Sequence, residues 1–341
     1  MTSAALQNTA TRNHARQRAF LGLGLGLVVL FILSLLVGRY PSPGFISWQQ
    51  INNDELARLL LSNLRLPRML TALLLGMSLA AAGMVFQMLF TNPLVEPGFL
   101  GVSQGAAFGA ALCIVLSGKA AGLIQGVSAF FAFAGLGLSY LLARQIHFGG
   151  WVLRLILSGI AVSALFSAGL GILKYMADPL QQLPEITFWL LGGLSSVTWP
   201  QFLSILPATL VGLVLLFLYR WRINLLGLDE ENAYAMGAAP KRERLLLLAA
   251  AVLPTAAVIS VAGMVGWVGL IIPHIARRLF GSDTRFSLPA SMLLGGIFVM
   301  LCDDLSRTLL AGEIPLGILT SLLGAAIFIL LMATYGIKVK R

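Results

Sequence analysis

Long uninterrupted apolar runs constrain this chain more than any other feature. The stretch "MLTALLLGMSLAAAGMVFQMLF", residues 69–90, contains no charged residue. A helix rises about 1.5 Å per residue and the hydrocarbon core is roughly 30 Å thick, so about 20 apolar residues make one crossing. Runs of this kind recur near residues 20–38, 67–90, 99–117, 121–143, 155–174, 200–219, 245–263, 265–280, 288–308 and 316–336, which predicts ten spans. The expected fold is therefore an all-α polytopic membrane protein with about ten transmembrane helices. Residues 1–341 form one transmembrane domain, with a polar N-terminal tail at 1–19.

Composition agrees: 58% of residues are hydrophobic and 11% charged, with a mean hydropathy of +0.90, against roughly 25% charged in a soluble domain. The net charge of +10 does not indicate nucleic acid, because the basic residues fall in short loops between apolar runs. Cys113 and Cys302 both lie within apolar runs and support neither a disulfide framework nor a metal site. The run from Leu21 to Val37 lacks a small-residue cleavage site and reads as a retained span rather than a signal peptide.

The seventh and eighth spans need a parity argument, since Leu245 to Ala276 carries no charge and would make one helix of about 48 Å. The basic segments "KRER" (241–244) and "ARRLFGSDTR" (276–285) belong on one side, which requires an even number of crossings between them. Two short spans with a turn near "GMVGW" satisfy this, and a single long tilted helix is the alternative. With both termini cytoplasmic, sixteen Lys and Arg residues face inward, among them Arg12, Lys338, Lys340 and Arg341, and seven face outward, among them Lys119. The six tryptophans fall near span ends, as an aromatic belt requires. This topology places Arg65 and Arg68 of "RLPR", and Arg307, on the outer face, against the usual bias.

Three further segments carry chemistry. The turn "FTNPLVEPGFLG" (90–101) has two prolines and two glycines, so it cannot continue a helix. It lines a pathway or acts as a rigid connection. The loop "YRWRINLLGLDEENAYAMGAAPKRER" (219–244) combines an acidic helix start with apolar Leu228, Ala233, Met236 and Leu225. It predicts a short helix that docks a soluble partner or lies in the interface. Asp303 and Asp304 precede Arg307 in span nine; pairing at i, i+4 and a proton relay are both compatible with this spacing. His274, after Pro273, reads as a capping or packing residue. No phosphate-binding loop or metal-hydrolase spacing is present, so the chain is not expected to hydrolyse ATP itself.

The order and spacing of four stretches make the chain resemble the FecCD-type permease subunits of ABC importers for iron-siderophore, haem and cobalamin. These are "RLPRMLTALLLGMSLAAAGMVFQMLFTNPLVEPGFLGVSQGAAFGA", "LILSGIAVSAL", "GMVGWVGLIIPHIARRLFGSDTRFSLPASMLLGG" and "EIPLGILTSLLGAAIF". The resemblance implies a type II importer fold in the bacterial inner membrane, working as a homodimer or a close heterodimer of permeases with two ATPase subunits and a periplasmic binding protein. No cofactor is expected on this chain; ATP and Mg would be used by the ATPase.

The resemblance also implies residue roles. Arg65, Arg68 and Arg307 match positions that receive acidic residues of the binding protein, a task suited to the bidentate guanidinium. Asn92 and Leu94 match a cytoplasmic gate. Glu230, Ala233, Met236 and Gly237, within the 220–244 coupling loop, match positions that fit a cleft on the ATPase. Asp229 stands where relatives usually have Gly. Val152 and Leu153 replace small polar residues found in some relatives, which bears on a second gate. Iron-siderophore is the expected cargo, with haem, cobalamin and molybdate as alternatives; a proton-coupled secondary transporter using Asp303 or Asp304 is the competing class.

Overall fold

The computed structural model describes the backbone of residues 3–40, 44–117, 120–310 and 312–334, with side chains from Arg16 onward except Trp48. Arg12, Lys119, Lys338, Lys340 and Arg341 of the charge count therefore lie outside the described side chains. The chain opens with α1 (Ser3–Leu36), whose backbone carries the expected polar tail into the helix. Two short strands, β1 (Val37–Gly38) and β2 (Gly44–Phe45), pair antiparallel. Helices α2 (Trp48–Asn53) and α3 (Glu55–Leu60) then lead through a π-helical turn at Leu61–Arg65 into α4 (Leu66–Leu89). Ser47 and Gln50 form a reciprocal capping box at the start of α2.

After a 3₁₀ turn at Pro97–Leu100 come α5 (Val102–Ser117), α6 (Ala121–Gln145), α7 (Trp151–Met176), α8 (Gln182–Leu191) and α9 (Trp199–Leu218). Helices α10 (Arg220–Leu226) and α11 (Glu230–Ala235) precede α12 (Pro240–Ala262), α13 (Val268–Phe280), α14 (Thr284–Thr308) and α15 (Leu316–Thr334). Among the described residues, eight segments are long and apolar enough to cross a membrane, and α5 is a shorter apolar helix. With α13 they fall at the ten positions expected. The turn between α12 and α13 is where the glycines predict it, but the pair is not two short spans. Helix α12 has 23 residues and full spanning length, whereas the 13 residues of α13 cover only about 20 Å.

Helix α4 is the axis around which the bundle is built, packed against α14, α12, α13 and α9, while α1 lies at the periphery with 6% of its apolar window buried. Because lipid is as apolar as leucine, burial alone does not drive helix association in a membrane; close backbone approach does. Small residues on α4 provide it. A Cβ on Gly76 would stand 2.0 Å from the Gly295 carbonyl oxygen, and one on Gly83 would stand 1.9 Å from that of Gly269. Cys113 and Cys302 are both free and buried.

Candidate functional site

The three arginines singled out by sequence lie at one end of the bundle around a cavity of about 290 Å³, together with Arg39 and Glu313. Their environments differ. Arg68 is 8% exposed; its Nε donates to both oxygens of Asp303 at 3.0 Å, and its Nη1 donates to Glu313 at 2.8 Å. Asp303 is fully buried and also lies 3.7 Å from Arg307, its partner at i+4. Arg307 is ion-paired with Asp304 as well and donates to the Val37 carbonyl at 2.9 Å. Ser34 of α1 donates to Asp304 at 2.5 Å. A buried charge is tolerated only when paired, and here two cations are paired with three carboxylates, Asp303, Asp304 and Glu313. Arg65 is half-buried and donates to the carbonyls of Leu35, Leu36 and Tyr40. Among the described residues it has no acidic partner.

The middle of the bundle contains two interruptions of helical backbone, at 90–101 and 263–267. Pro97 sits beside Gly269, which faces Leu79 on α4, ten residues or about 15 Å from the end of that helix. The 90–101 segment thus turns back to about half the depth of a bilayer. Its Glu96 carboxylate accepts the backbone N–H of Trp267, immediately before α13. Trp267 has φ +71°, a left-handed conformation that costs a bulky residue of order 1–3 kcal/mol. Irregular backbone at such depth requires protein or a wet cavity around it. Here it borders a cavity of about 350 Å³ lined also by Ser103, Gln104, Ser163 and Thr255.

Asn92 and Leu94 occupy the turn that follows α4. The Asn92 side chain accepts the Leu94 N–H at 3.0 Å, an Asx turn that fixes the bend, and Leu94 projects outward, 47% exposed. Thr91 beside them has φ +48°. Val152 and Leu153 lie in the first turn of α7, Val152 half-buried and Leu153 exposed.

The 220–244 segment lies at the same end as this turn. Its predicted short helix is α11, with Asp229 at the N-cap position, and α10 is an additional helix preceding it. Gly227 lies against Met88 at the end of α4. Asn224 donates to Asp283 at 2.8 Å and accepts the Thr284 N–H at 3.0 Å, while the Thr284 hydroxyl donates to the Arg220 carbonyl. The Asp283 carboxylate, although partly desolvated, is held below the ordinary carboxylate range by its hydrogen bonds from Arg285 and Asn224. Of the four expected coupling positions, Glu230, Met236 and Gly237 are exposed, whereas Ala233 is fully buried and acts by holding α11 against the bundle.

A chain of contacts joins α11 to the turn. Glu230 lies 3.6 Å from Arg244; the Arg244 guanidinium stacks on Trp151 at 4.4 Å, and Trp151 packs against Phe90 at 5.5 Å between ring centroids. Sequence reasoning missed Glu96, Arg244 and the exposed Tyr234 of α11. Only Tyr234 had a local signal, as an aromatic in an otherwise polar helix. His274 is a packing residue: its Nδ1 lies 2.9 Å from the Leu270 carbonyl oxygen and its ring meets Phe328. No cluster of metal-ligating side chains occurs among the described residues.

Residues 26–334 match the model of the FecCD transport family. The molybdate import system permease protein MolB of Haemophilus influenzae is 39% identical, over 90% of this chain and 93% of that protein. A probable iron chelatin transport system permease of Helicobacter pylori is 38% identical, over 92% and 98%. The hemin transport system permease HmuU of Yersinia pestis is 37% identical, over 94% and 97%. Among solved structures, a metal-chelate type ABC transporter in an inward-facing conformation superposes with a TM-score of 0.87 at 37% identity, over 94% of this chain and 100% of that one. Helix order, the paired interior breaks and this continuous similarity agree: the chain belongs to the FecCD transport family and is the permease subunit of an ABC importer, with ATP hydrolysis in a separate subunit.

Proposed function

We propose that two copies of this chain form the path by which an iron-siderophore complex crosses the bacterial inner membrane, with both termini in the cytoplasm. The observation that supports it most is the interior break at Glu96 and Trp267, which borders a cavity close to the Asn92–Leu94 turn and is connected through α4 to the 220–244 segment. In this reading a periplasmic binding protein docks at the arginine end. Arg68 and Arg307 fix the shape of that surface through Asp303 and Asp304, and Arg65 offers the guanidinium with donors least committed to an acid. The ATPase receives α11 through Glu230, Met236 and Gly237. Movement of α11 passes through Arg244 and Trp151 to Phe90, opening the Asn92–Leu94 turn. Molybdate is the second cargo reading, favoured by the similarity to MolB.

The test is uptake by proteoliposomes carrying permease, ATPase and binding protein. ATP-dependent accumulation of labelled ferric siderophore supports the proposal; accumulation of molybdate alone moves the cargo to the oxyanion. Accumulation driven by a proton gradient without ATP would refute the mechanism. At low salt, Arg65→Glu should weaken binding-protein affinity about tenfold, and unchanged affinity would refute the docking surface.

A further inference from the structure

A cavity of about 630 Å³ opens at the α10–α11 end of the bundle, between the end of α6 and the starts of α7 and α12. Four cations, Arg144, Arg154, Lys241 and Arg244, share its wall with a single carboxylate, Glu230. Of these cations only Arg244 has an acidic partner among the described residues. Arg244 is nevertheless 7% exposed, and its Nε is buried with no hydrogen-bond partner. The Nε of Arg154 is in the same condition. Like charges gathered on one cavity repel, and buried N–H groups of charged side chains ordinarily meet an acceptor. Both features call for an anion.

The rest of the wall says which kind. Tyr140 and Trp151 are residues of the interfacial belt, and Leu155, Leu245 and Leu248 continue the wall as apolar surface. All three helices begin or end their spans here, so the cavity lies where headgroups meet hydrocarbon. Basic pockets between span ends suit anionic lipid headgroups. We propose that this cavity binds the phosphate headgroup of an anionic phospholipid, with its acyl chains along the leucines. A free phosphate would share the charge but leave the apolar wall without a partner. Arg244 also contacts Glu230 of α11 and Trp151 of α7, so the bound headgroup would brace the segment that couples to the ATPase. The identity of the cargo does not enter.

The experiment uses the intact complex of permease and ATPase in mild detergent, with native mass spectrometry and thermal unfolding. The probes are phosphatidylglycerol, phosphatidylcholine and inorganic phosphate. Phosphatidylglycerol is expected to be retained and to raise the unfolding temperature, and phosphatidylcholine is not. Each cation near an anionic headgroup contributes roughly a fivefold factor, so Arg144→Gln with Lys241→Gln should weaken retention about twenty-five-fold. If the double variant does not fold, Lys241→Gln alone should weaken it about fivefold. Equal retention of both lipids, or retention indifferent to the substitutions, would overturn the proposal. Displacement of phosphatidylglycerol by millimolar phosphate with the same thermal shift would replace the lipid by a free anion. Retention only after the ATPase is stripped away would assign the cavity to the ATPase interface.

Discussion

Asp303→Asn tests the reading of the arginine end. Asp303 is fully buried and contacts two guanidiniums, Arg68 at 3.0 Å and Arg307 at 3.7 Å. Removing one partner of a buried ion pair typically costs 3–5 kcal/mol, because the remaining charge stays buried without compensation. Here each arginine keeps another carboxylate, Glu313 for Arg68 and Asp304 for Arg307. The cost should therefore lie at the lower end, about 3 kcal/mol. Titration from mild detergent into dodecyl sulfate, followed by tryptophan fluorescence, reads the loss directly.

A loss below about 1 kcal/mol would refute the claim that Asp303 holds this end together, since that is the range of an exposed pair. The combined change Arg68→Met with Asp303→Leu should recover most of the stability, because replacing a buried pair by apolar side chains is often neutral. It still leaves Arg307 on Asp304. A variant that loses transport while keeping wild-type stability would point instead to a proton carried by Asp303.

Other consequences are as direct. Gly76→Ala should prevent accumulation of folded protein, since its Cβ would overlap the Gly295 backbone, whereas Gly122→Ala, with nothing within 4 Å, should express normally; immunoblots of membranes distinguish them. Trp151→Ala should leave ATP hydrolysis present but lower the cargo moved per ATP at least several-fold, as expected if stacking on Arg244 and Phe90 transmits α11 movement; an unchanged ratio refutes that route. Asp283 caps α14 by accepting the Arg285 N–H, so Asp283→Ala should cost about 1 kcal/mol in denaturant titration. Its folded pKa is depressed, so this contribution is complete at neutral pH and lost as the pH falls through the folded value, below the ordinary carboxylate range. Variant and wild type should converge in acid.

The helices were legible because a bilayer imposes a length on them: apolar runs near 20 residues mark spans whatever their partners. The interruption at 263–267 was legible for another reason, the pile of glycines between two basic segments that must share a side. Its outcome was only half legible. That α12 keeps its full length and α13 is short depends on Trp267 adopting φ +71° and on the Glu96 carboxylate that receives its N–H, a contact between residues about 170 positions apart. The pairing of Asp303 with Arg307 followed from helical spacing, but the larger share taken by Arg68 required knowing that α4 and α14 lie together. The connection before α4 gives no helical signal in the sequence because α2 and α3 are each six residues long, too short for a periodic pattern.

The same interruption bears on the order in which the chain is assembled in the membrane. The Ala262 carbonyl at the end of α12 accepts a hydrogen bond from Gly193 at 2.8 Å, a segment made earlier. The neighbouring Gly192 carbonyl accepts one from Leu316 at 2.9 Å, and Gly317 closes directly over Leu191 and Met264. Those last partners begin α15, some fifty residues after the break leaves the ribosome. Until they arrive, polar backbone at the break must be sheltered by water or by the insertion machinery, because hydrocarbon cannot solvate it. Helix α15 is therefore the closing stone of biogenesis: earlier spans can be inserted one by one, but the interior site exists only once α15 has been made.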